Sequence, residues 1–220
     1  MKKLVNGIVE FRKTCLENYR EKFAHLALGQ FPDALFIACS DSRVVPNLFA
    51  STNPGDLFVI RNVGNLIPSF SDSRITQGSS EEAAIEFSLT NLPIKNIIVC
   101  GHSDCGAMRA ILEGIEKLDS PGLKGWLKHC ECVLDDAAID DVKFKQLADH
   151  NKLSQINILQ QMGHVKTYPK VIEKMNEGLL NVHGWYFDIA TGDVYAYEEK
   201  FKQFTLIDED EASAILSRLN

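Results

Sequence analysis

Two apolar runs in this chain each end in a short segment that carries cysteine or histidine. The run at 35–38 is followed directly by Cys39, and the run at 97–101 is followed by His102 and then Cys105. Apolar runs of this length, bounded by polar turn residues, are typical of buried strands. Because open α/β sheets bind ligands outside the carboxyl ends of their strands, the pattern favours a sheet with a site at one edge.

The first half of the chain alternates strand and helix signals. Ser79 and Glu82 form a capping-box pattern that opens a helix, and a further helix is predicted from Asp104, as its N-cap, to about residue 116. Such alternation indicates a parallel sheet with helices on both faces. Three short apolar runs are the predicted strands, at 34–38, 57–60 and 97–100.

The second half is predicted to be mainly helical to about residue 178, with one helix beginning at Pro169. Two strands at 179–189 and 194–199 then surround Thr191, Gly192 and Asp193, which suit a hairpin turn. A short helix at about 209–219 closes the chain.

The N-terminal segment has apolar residues at helical spacing, which predicts an amphipathic helix over 4–28. The predicted fold class is therefore α/β, with a mostly parallel central sheet flanked by helices. We expect one domain over residues 1–220, in which residues 1–28 form a helical arm.

Composition excludes several classes of function. The chain has 220 residues, with 23 lysines and arginines against 30 aspartates and glutamates and a net charge of −7. This balance argues against nucleic-acid binding, which requires clustered cations. The first residues lack the apolar stretch of a signal peptide, and no apolar run approaches membrane-spanning length. We therefore expect a cytoplasmic protein with no nucleic-acid or membrane partner.

Cys39, His102 and Cys105 are the residue types that bind zinc. Six cysteines in a chain of this kind are not expected to form a disulfide framework. Structural zinc sites close with a fourth cysteine or histidine, whereas catalytic sites leave one position to water. Asp41 could be a fourth ligand, could pair with Arg43 beside the metal, or could simply cap a turn while Arg43 reaches a surface carboxylate.

At this point the sequence resembles the β-class carbonic anhydrases, and in particular their plant-like branch. The resemblance spans nearly the whole chain, with its motifs in family order. They are Cys39-Ser40-Asp41-Ser42-Arg43-Val44, Arg61-Asn62-Val63-Gly64-Asn65, Ala83-Ala84-Ile85-Glu86-Phe87, Gly101-His102-Ser103-Asp104-Cys105-Gly106, Thr167-Tyr168-Pro169 and His183-Gly184-Trp185.

The resemblance implies reversible hydration of carbon dioxide to bicarbonate and a proton. It implies one zinc ion per chain on the residues matching Cys39, His102 and Cys105. Zinc-bound hydroxide would then be the nucleophile, oriented by a dyad of Asp41 and Arg43, with Asp41 a fourth ligand in a closed state. It also matches Gln30 to an amide that donates a hydrogen bond to the substrate oxygen.

The same resemblance places an apolar substrate pocket around Phe58, Val63, Phe87 and Gly106. Phe87 departs from the tyrosine of the plant-like branch and keeps only the ring. One bacterial branch has a bicarbonate inhibition site built from a tryptophan, an arginine and a tyrosine. Here the arginine matches Arg61, but phenylalanines stand at the other two positions, so we expect no bicarbonate-driven closure and an intact dyad at neutral pH. Those two residues are Phe36 and Phe187.

The resemblance further implies a homodimer or a dimer of dimers, with the arm wrapping the partner subunit. Two other functions stay open on sequence grounds. One keeps the zinc site but hydrolyses carbon disulfide or carbonyl sulfide. The other is a non-catalytic zinc-binding or redox-sensing protein that uses Cys39 and Cys105 as a reversible thiol pair.

Overall fold

A computed structural model describes residues 1–70, 78–130 and 147–218. Its strands are β1 (Ala34–Cys39), β2 (Leu57–Asn62), β3 (Asn96–His102), β4 (Asn181–Phe187), β5 (Val194–Glu198) and β6 (Gln203–Leu206). Its α-helices are α1 (Lys2–Thr14), α2 (Leu16–Leu26), α3 (Pro46–Phe49), α4 (Ser80–Asn91), α5 (Gly106–Glu113), α6 (Pro121–Leu127), α7 (Asp149–Val165), α8 (Pro169–Asn176) and α9 (Glu209–Arg218).

The six strands form one sheet in the order β2-β1-β3-β4-β5-β6. The first four run parallel and the last two are antiparallel to their neighbours, as the predicted hairpin requires. The predicted α/β class with a mostly parallel sheet is therefore confirmed. Strand β6 was not predicted, because its four residues alternate polar and apolar side chains too briefly to stand out from a loop.

Side chains of alternate residues pack on opposite faces of the sheet. On one face Leu35, Ile37 and Val99 join a core that includes residues of α4, α7 and α8. Helix α7 approaches this face closely at two glycines. A Cβ on Gly101 or Gly184 would lie 2.8 Å or less from side-chain atoms of α7. The absence of a side chain at both positions therefore sets the distance between α7 and the strands.

The opposite face has a thinner cover than predicted. Its buried residues include Phe36 and Phe187, and the four-residue helix α3 contributes Phe49 to the same cluster. In the described ranges this cluster holds no residue of a longer helix. The prediction of helical cover on both faces is thus only partly met within one chain.

The arm is not the single helix predicted over 4–28. It consists of α1 and α2, which are separated at Cys15. The Thr14 hydroxyl donates to the Glu10 carbonyl at 2.9 Å, a local bond of the type that bends helices. No residue of either helix is buried.

The C-terminal half contains the helix predicted at Pro169, which is α8, and the closing helix α9. Part of the predicted helical stretch, at residues 131–146, and the last two residues lie outside the described residues. None of the helices in the described ranges is at once long enough and apolar enough to span a bilayer.

Candidate metal centre

The structure brings Cys39, His102 and Cys105 together at the carboxyl edge of the sheet. Cys39 ends β1, His102 ends the neighbouring strand β3, and Cys105 occupies the N-cap position of α5. One ligand atom from each residue lies within 4.8 Å of the others, and all three residues are buried. We call these three residues the ligand cluster.

The imidazole of His102 has one nitrogen free for a metal. Its Nδ1 lies 2.8 Å from the Ser103 carbonyl oxygen and so carries the proton of the neutral ring. Its Nε2 is buried and makes no hydrogen bond within the described part of the chain. Histidines that bind metals have this arrangement, with the second ring nitrogen donating to a carbonyl or carboxylate. Ser154 of α7 holds the His102 backbone, accepting from its N–H at 3.2 Å and donating to its carbonyl at 2.9 Å.

The two thiols of the cluster influence each other's ionisation. A hydrogen bond from Cys105 lowers the pKa of the Cys39 thiol and, by the same interaction, raises the pKa of Cys105. The Gly64 N–H also points at the Cys39 sulfur, at 3.4 Å. Two sulfurs and one unpartnered imidazole nitrogen are the donor set of zinc, so these residues fit a zinc ion.

Asp41 and Arg43 form a two-point ion pair beside the cluster. Arg43 Nε donates to Asp41 Oδ1 at 2.9 Å and Arg43 Nη2 donates to Oδ2 at 2.7 Å. The Arg43 hydrogen bonds hold the pKa of the Asp41 carboxyl well below its usual range. Of the three alternatives left open by the sequence, the structure contains the pair. Asp41 Oδ1 also accepts from the Arg43 backbone N–H at 3.0 Å, as in a turn cap, but the Arg43 side chain is directed to Asp41 and not to another carboxylate.

Arg61 supports the same loop from β2. Its Nε donates to the Cys39 carbonyl at 3.1 Å and its Nη2 donates to the Asp41 carbonyl at 2.7 Å. The two phenylalanines matched to the bicarbonate site are packed among aromatic rings. Phe36 meets Trp185 edge-on, and Phe187 stacks on Phe49 with centroids 4.5 Å apart. The expectation that bicarbonate-driven closure is absent stays a prediction.

A cavity of about 320 Å³ opens beside the ligand cluster. Val63 and Gly106, both predicted pocket residues, line it together with Asp41. Leu123 and Leu127 of α6 also line it and were not predicted. Their spacing of four residues on one helix face was the available signal, but nothing in the sequence places that helix over the strand ends.

Gln30 and two of the four predicted pocket residues, Phe58 and Phe87, do not line this cavity in the single chain. Phe58 and Phe87 instead stack on each other with ring centroids 5.8 Å apart. Phe58 lies four residues before the carboxyl end of β2, roughly 13 Å along the strand. Gln30 follows α2 at the end of the arm.

The prediction that Asp104 caps α5 is wrong. Asp104 has a φ of 55°, a left-handed conformation, and Cys105 holds the N-cap position. The Asp104 carboxylate is bound instead by Arg109 and His150.

Two buried polar residues of α7 hold the loop between β2 and α4 and were also missed. Asn157 donates to the Gly64 carbonyl at 3.0 Å, and Gln161 accepts from the Ile67 N–H at 2.7 Å. Gly64 is the residue whose N–H meets the Cys39 sulfur, so α7 fixes one support of the cluster. Polar residues on the inward face of a helix were the only sequence signal.

Parallel strands with a Cys–His–Cys cluster at their carboxyl edge define an α/β protein with a candidate metal site. The family model for carbonic anhydrase matches residues 34–194. A carbonic anhydrase of Synechocystis sp. is 40% identical over 210 residues, which cover 93% of this chain and 73% of the relative. A carbonic anhydrase of Pseudomonas aeruginosa is 36% identical over 214 residues, with 95% and 93% covered.

Solved structures give the same result. The β-carbonic anhydrase CcaA superposes with a TM-score of 0.83 at 38% identity, covering 95% of this chain and 92% of that one. A tetrameric β-carbonic anhydrase of Sordaria macrospora superposes with a TM-score of 0.75 at 27% identity, with 89% and 95% covered. The chain belongs to the carbonic anhydrase family, in its β class, and is an enzyme.

Proposed function

We propose that this enzyme interconverts carbon dioxide and bicarbonate with one zinc ion held by Cys39, His102 and Cys105. The observation that carries the proposal is the buried His102 Nε2, which has no hydrogen-bond partner within the described residues and belongs to a cluster with two sulfurs. Zinc in such a site lowers the pKa of coordinated water to about 7 and so supplies a nucleophile at neutral pH.

Asp41 is proposed to orient the attacking oxygen. An ionised carboxylate accepts a hydrogen bond from that oxygen and so turns a lone pair toward the carbon of the substrate. Arg43 keeps Asp41 ionised and holds both of its oxygens, which restrains the carboxylate from moving into the metal position. The addition of hydroxide to carbon dioxide gives bicarbonate directly, so no covalent enzyme intermediate is required.

The cavity beside the cluster suits a small apolar substrate. Val63, Ala107, Leu123 and Leu127 give it mainly apolar walls, while Asp41 supplies the polar contact. Carbon dioxide has no hydrogen to donate and is a weak acceptor, so little is lost by placing it against these side chains. Such walls also exclude the bulk water that would compete for the reacting groups.

A second copy of the chain is proposed to complete the site with Gln30, Phe58 and Phe87. Phe87 is 46% exposed and stacks on Phe58 of β2, the edge strand of the sheet. The arm that ends near Gln30 buries none of its helical residues within its own chain. The Sordaria macrospora relatives are described as tetrameric. We therefore propose a homodimer or a dimer of dimers, in which the Gln30 amide donates to the substrate oxygen.

A cytoplasmic location is part of the same proposal. Among the described residues, Cys15, Cys39, Cys100 and Cys105 are free thiols, as suits a reducing compartment. Fractionation of the source cells followed by antibody detection tests this point, and recovery with the periplasmic or secreted fraction would contradict it.

The first experiment is stopped-flow measurement of carbon dioxide hydration by the zinc-loaded protein between pH 7 and 8.5. We expect rapid turnover across that range. Carbon disulfide and carbonyl sulfide are assayed on the same sample. Turnover of either without hydration of carbon dioxide would replace the proposed substrate, and zinc binding without any turnover would overturn the mechanism.

A further inference from the structure

Asp104 lies between two proposed metal ligands and is held from several sides. Its N–H donates to Asn151 Oδ1 at 2.8 Å, and its Oδ1 accepts from His150 Nε2 at 3.0 Å. His150 and Asn151 both belong to the first turn of α7. Arg109 of α5 donates to the same carboxylate oxygen at 2.5 Å. Two helices therefore fix a residue whose φ of 55° costs backbone energy.

Asp104 is connected to the Asp41–Arg43 dyad through its backbone carbonyl oxygen. The Asp104 carbonyl accepts a hydrogen bond from Arg43 Nη2 at 3.2 Å, and the same Nη2 donates to Asp41 Oδ2. The direction of that carbonyl depends on the left-handed conformation of Asp104. The conformation in turn is held by the contacts to His150, Asn151 and Arg109.

We propose that His150 and Asn151 are positioning residues for Arg43, acting through the backbone of Asp104. The inference rests on the proposed role of Asp41 and Arg43. Among the hydrogen bonds of the described residues, neither residue of α7 contacts Asp41 or a ligand of the cluster, so their effect is on geometry. When they are lost, Asp104 relaxes, Arg43 loses one of its anchors, and Asp41 is held less firmly.

His150 is well placed to make this support firm. Its side chain is 17% exposed, which limits the positions that the ring can take, while the Asp104 side chain that it contacts is 47% exposed. The Asp104 carboxylate thus has two donors, His150 from α7 and Arg109 from α5. The remaining charged groups of the first turn of α7, Asp149 and Lys152, pair with each other in solvent.

The test compares His150→Ala, His150→Gln and Asn151→Ala with the control Asp149→Asn, a change to an 82% exposed carboxylate on the same turn. We expect His150→Ala and Asn151→Ala to lower kcat at pH 7 about tenfold, with unchanged KM and full zinc content. His150→Gln keeps a donor toward Asp104 and should recover most of the activity. Crystal structures of the two alanine variants should show the Arg43 guanidinium displaced from the Asp104 carbonyl.

Wild-type activity in both alanine variants would overturn the positioning role while the proposed function stands. An inactive wild type would instead reject the proposed function. If the loss in His150→Ala is restored by concentrated imidazole buffer and Arg43 has not moved, His150 carries protons and the inference is wrong. Should these variants fail to fold, Arg109→Gln on α5 loosens the same carboxylate and is expected to give a smaller fall in kcat.

Discussion

The carboxyl edge of the sheet and the N-terminal arm are built in opposite ways. At the edge, Cys39, His102 and Cys105 are at most 5% exposed. In the arm, Leu4 is 66% exposed and Ile8 is 63% exposed. The ligand cluster at this edge is buried by the packing of its own chain, whereas the arm presents an apolar face that its own chain leaves uncovered.

The difference shows which parts of the site one chain can form alone. Strands bring the ligand cluster together because neighbouring strands end at the same edge. A helix pair such as α1 and α2 needs packing against another surface to be stable in water. An exposed apolar helix face of this kind is consistent with the proposed contact with a second copy of the chain. We therefore predict that changes in the arm leave the ligand cluster able to bind zinc, while they disrupt the site that the second copy completes.

The largest expected effect comes from the cluster itself. Cys105→Ser replaces a thiolate with a hydroxyl that binds zinc poorly, so bound zinc and carbon dioxide hydration should both fall at least about 100-fold. Metal analysis and stopped-flow assays measure the two quantities. Cys15→Ser is the matched control in the arm and should keep both. Full zinc content in the Cys105 variant would remove that residue from the proposed ligand set.

The second prediction distinguishes zinc binding from catalytic activity. Asp41→Asn keeps the size of the side chain but removes the charge that pairs with Arg43, and kcat/KM should fall roughly 100-fold. Zinc content should stay at one ion per chain, because Asp41 pairs with Arg43 in this structure and not with the cluster. Asp119→Asn, on the protein surface, is the control. Equal losses of zinc and activity would mean that Asp41 is a metal ligand.

Local sequence patterns predicted those strands, strand ends and helix caps that depend on residues close together in the sequence. Strands β1 and β3 and the ends that carry the ligand cluster follow from short apolar runs, and Ser79 caps α4 by accepting from the Glu82 N–H, as its spacing predicted. The break at Cys15 did not follow, because apolar periodicity continues through it. It depends on a bond between Thr14 and Glu10 that competes with the helix.

Contacts distant in sequence could not be predicted in this way. Asn157 reaches Gly64 across 93 residues and His150 reaches Asp104 across 46. A polar residue on a helix gives no sign of which loop it will meet. The family resemblance named Gln30 and Phe87 without indicating which copy of the chain supplies them.

The third prediction tests the arm. Ile8→Glu puts a charge on the apolar face of α1, where each buried aliphatic side chain contributes about 1.5–3 kcal/mol to an interface. We expect the dissociation constant of the oligomer to rise roughly 10- to 100-fold, measured by sedimentation equilibrium, with zinc content unchanged. Glu10→Gln, in the same helix, is the control. Activity that persists at concentrations where only monomer is present would show that one chain completes the site alone.

The smallest effect concerns a half-buried histidine of the sheet that lies away from the ligand cluster. Burial, with the nearby Arg218 charge, lowers the pKa of His183 in β4 from its ordinary 6.5. The folded protein therefore keeps this ring neutral at a pH where the unfolded chain binds a proton. Its contribution to stability is fully present above pH 6.5 and is lost progressively below it.

Thermal unfolding between pH 5 and 7.5 measures that loss. His183→Gln keeps a donor for Asn96 Oδ1, which lies 3.0 Å from His183 Nε2. The melting temperature of this variant should fall less steeply with acid than that of the wild type. The corresponding difference in the free energy of unfolding is on the order of 1 kcal/mol for each unit of pKa shift. Parallel curves for the two proteins would mean that His183 titrates as freely as a residue of the exposed arm. The contrast between the packed sheet and the arm would then not extend to this strand.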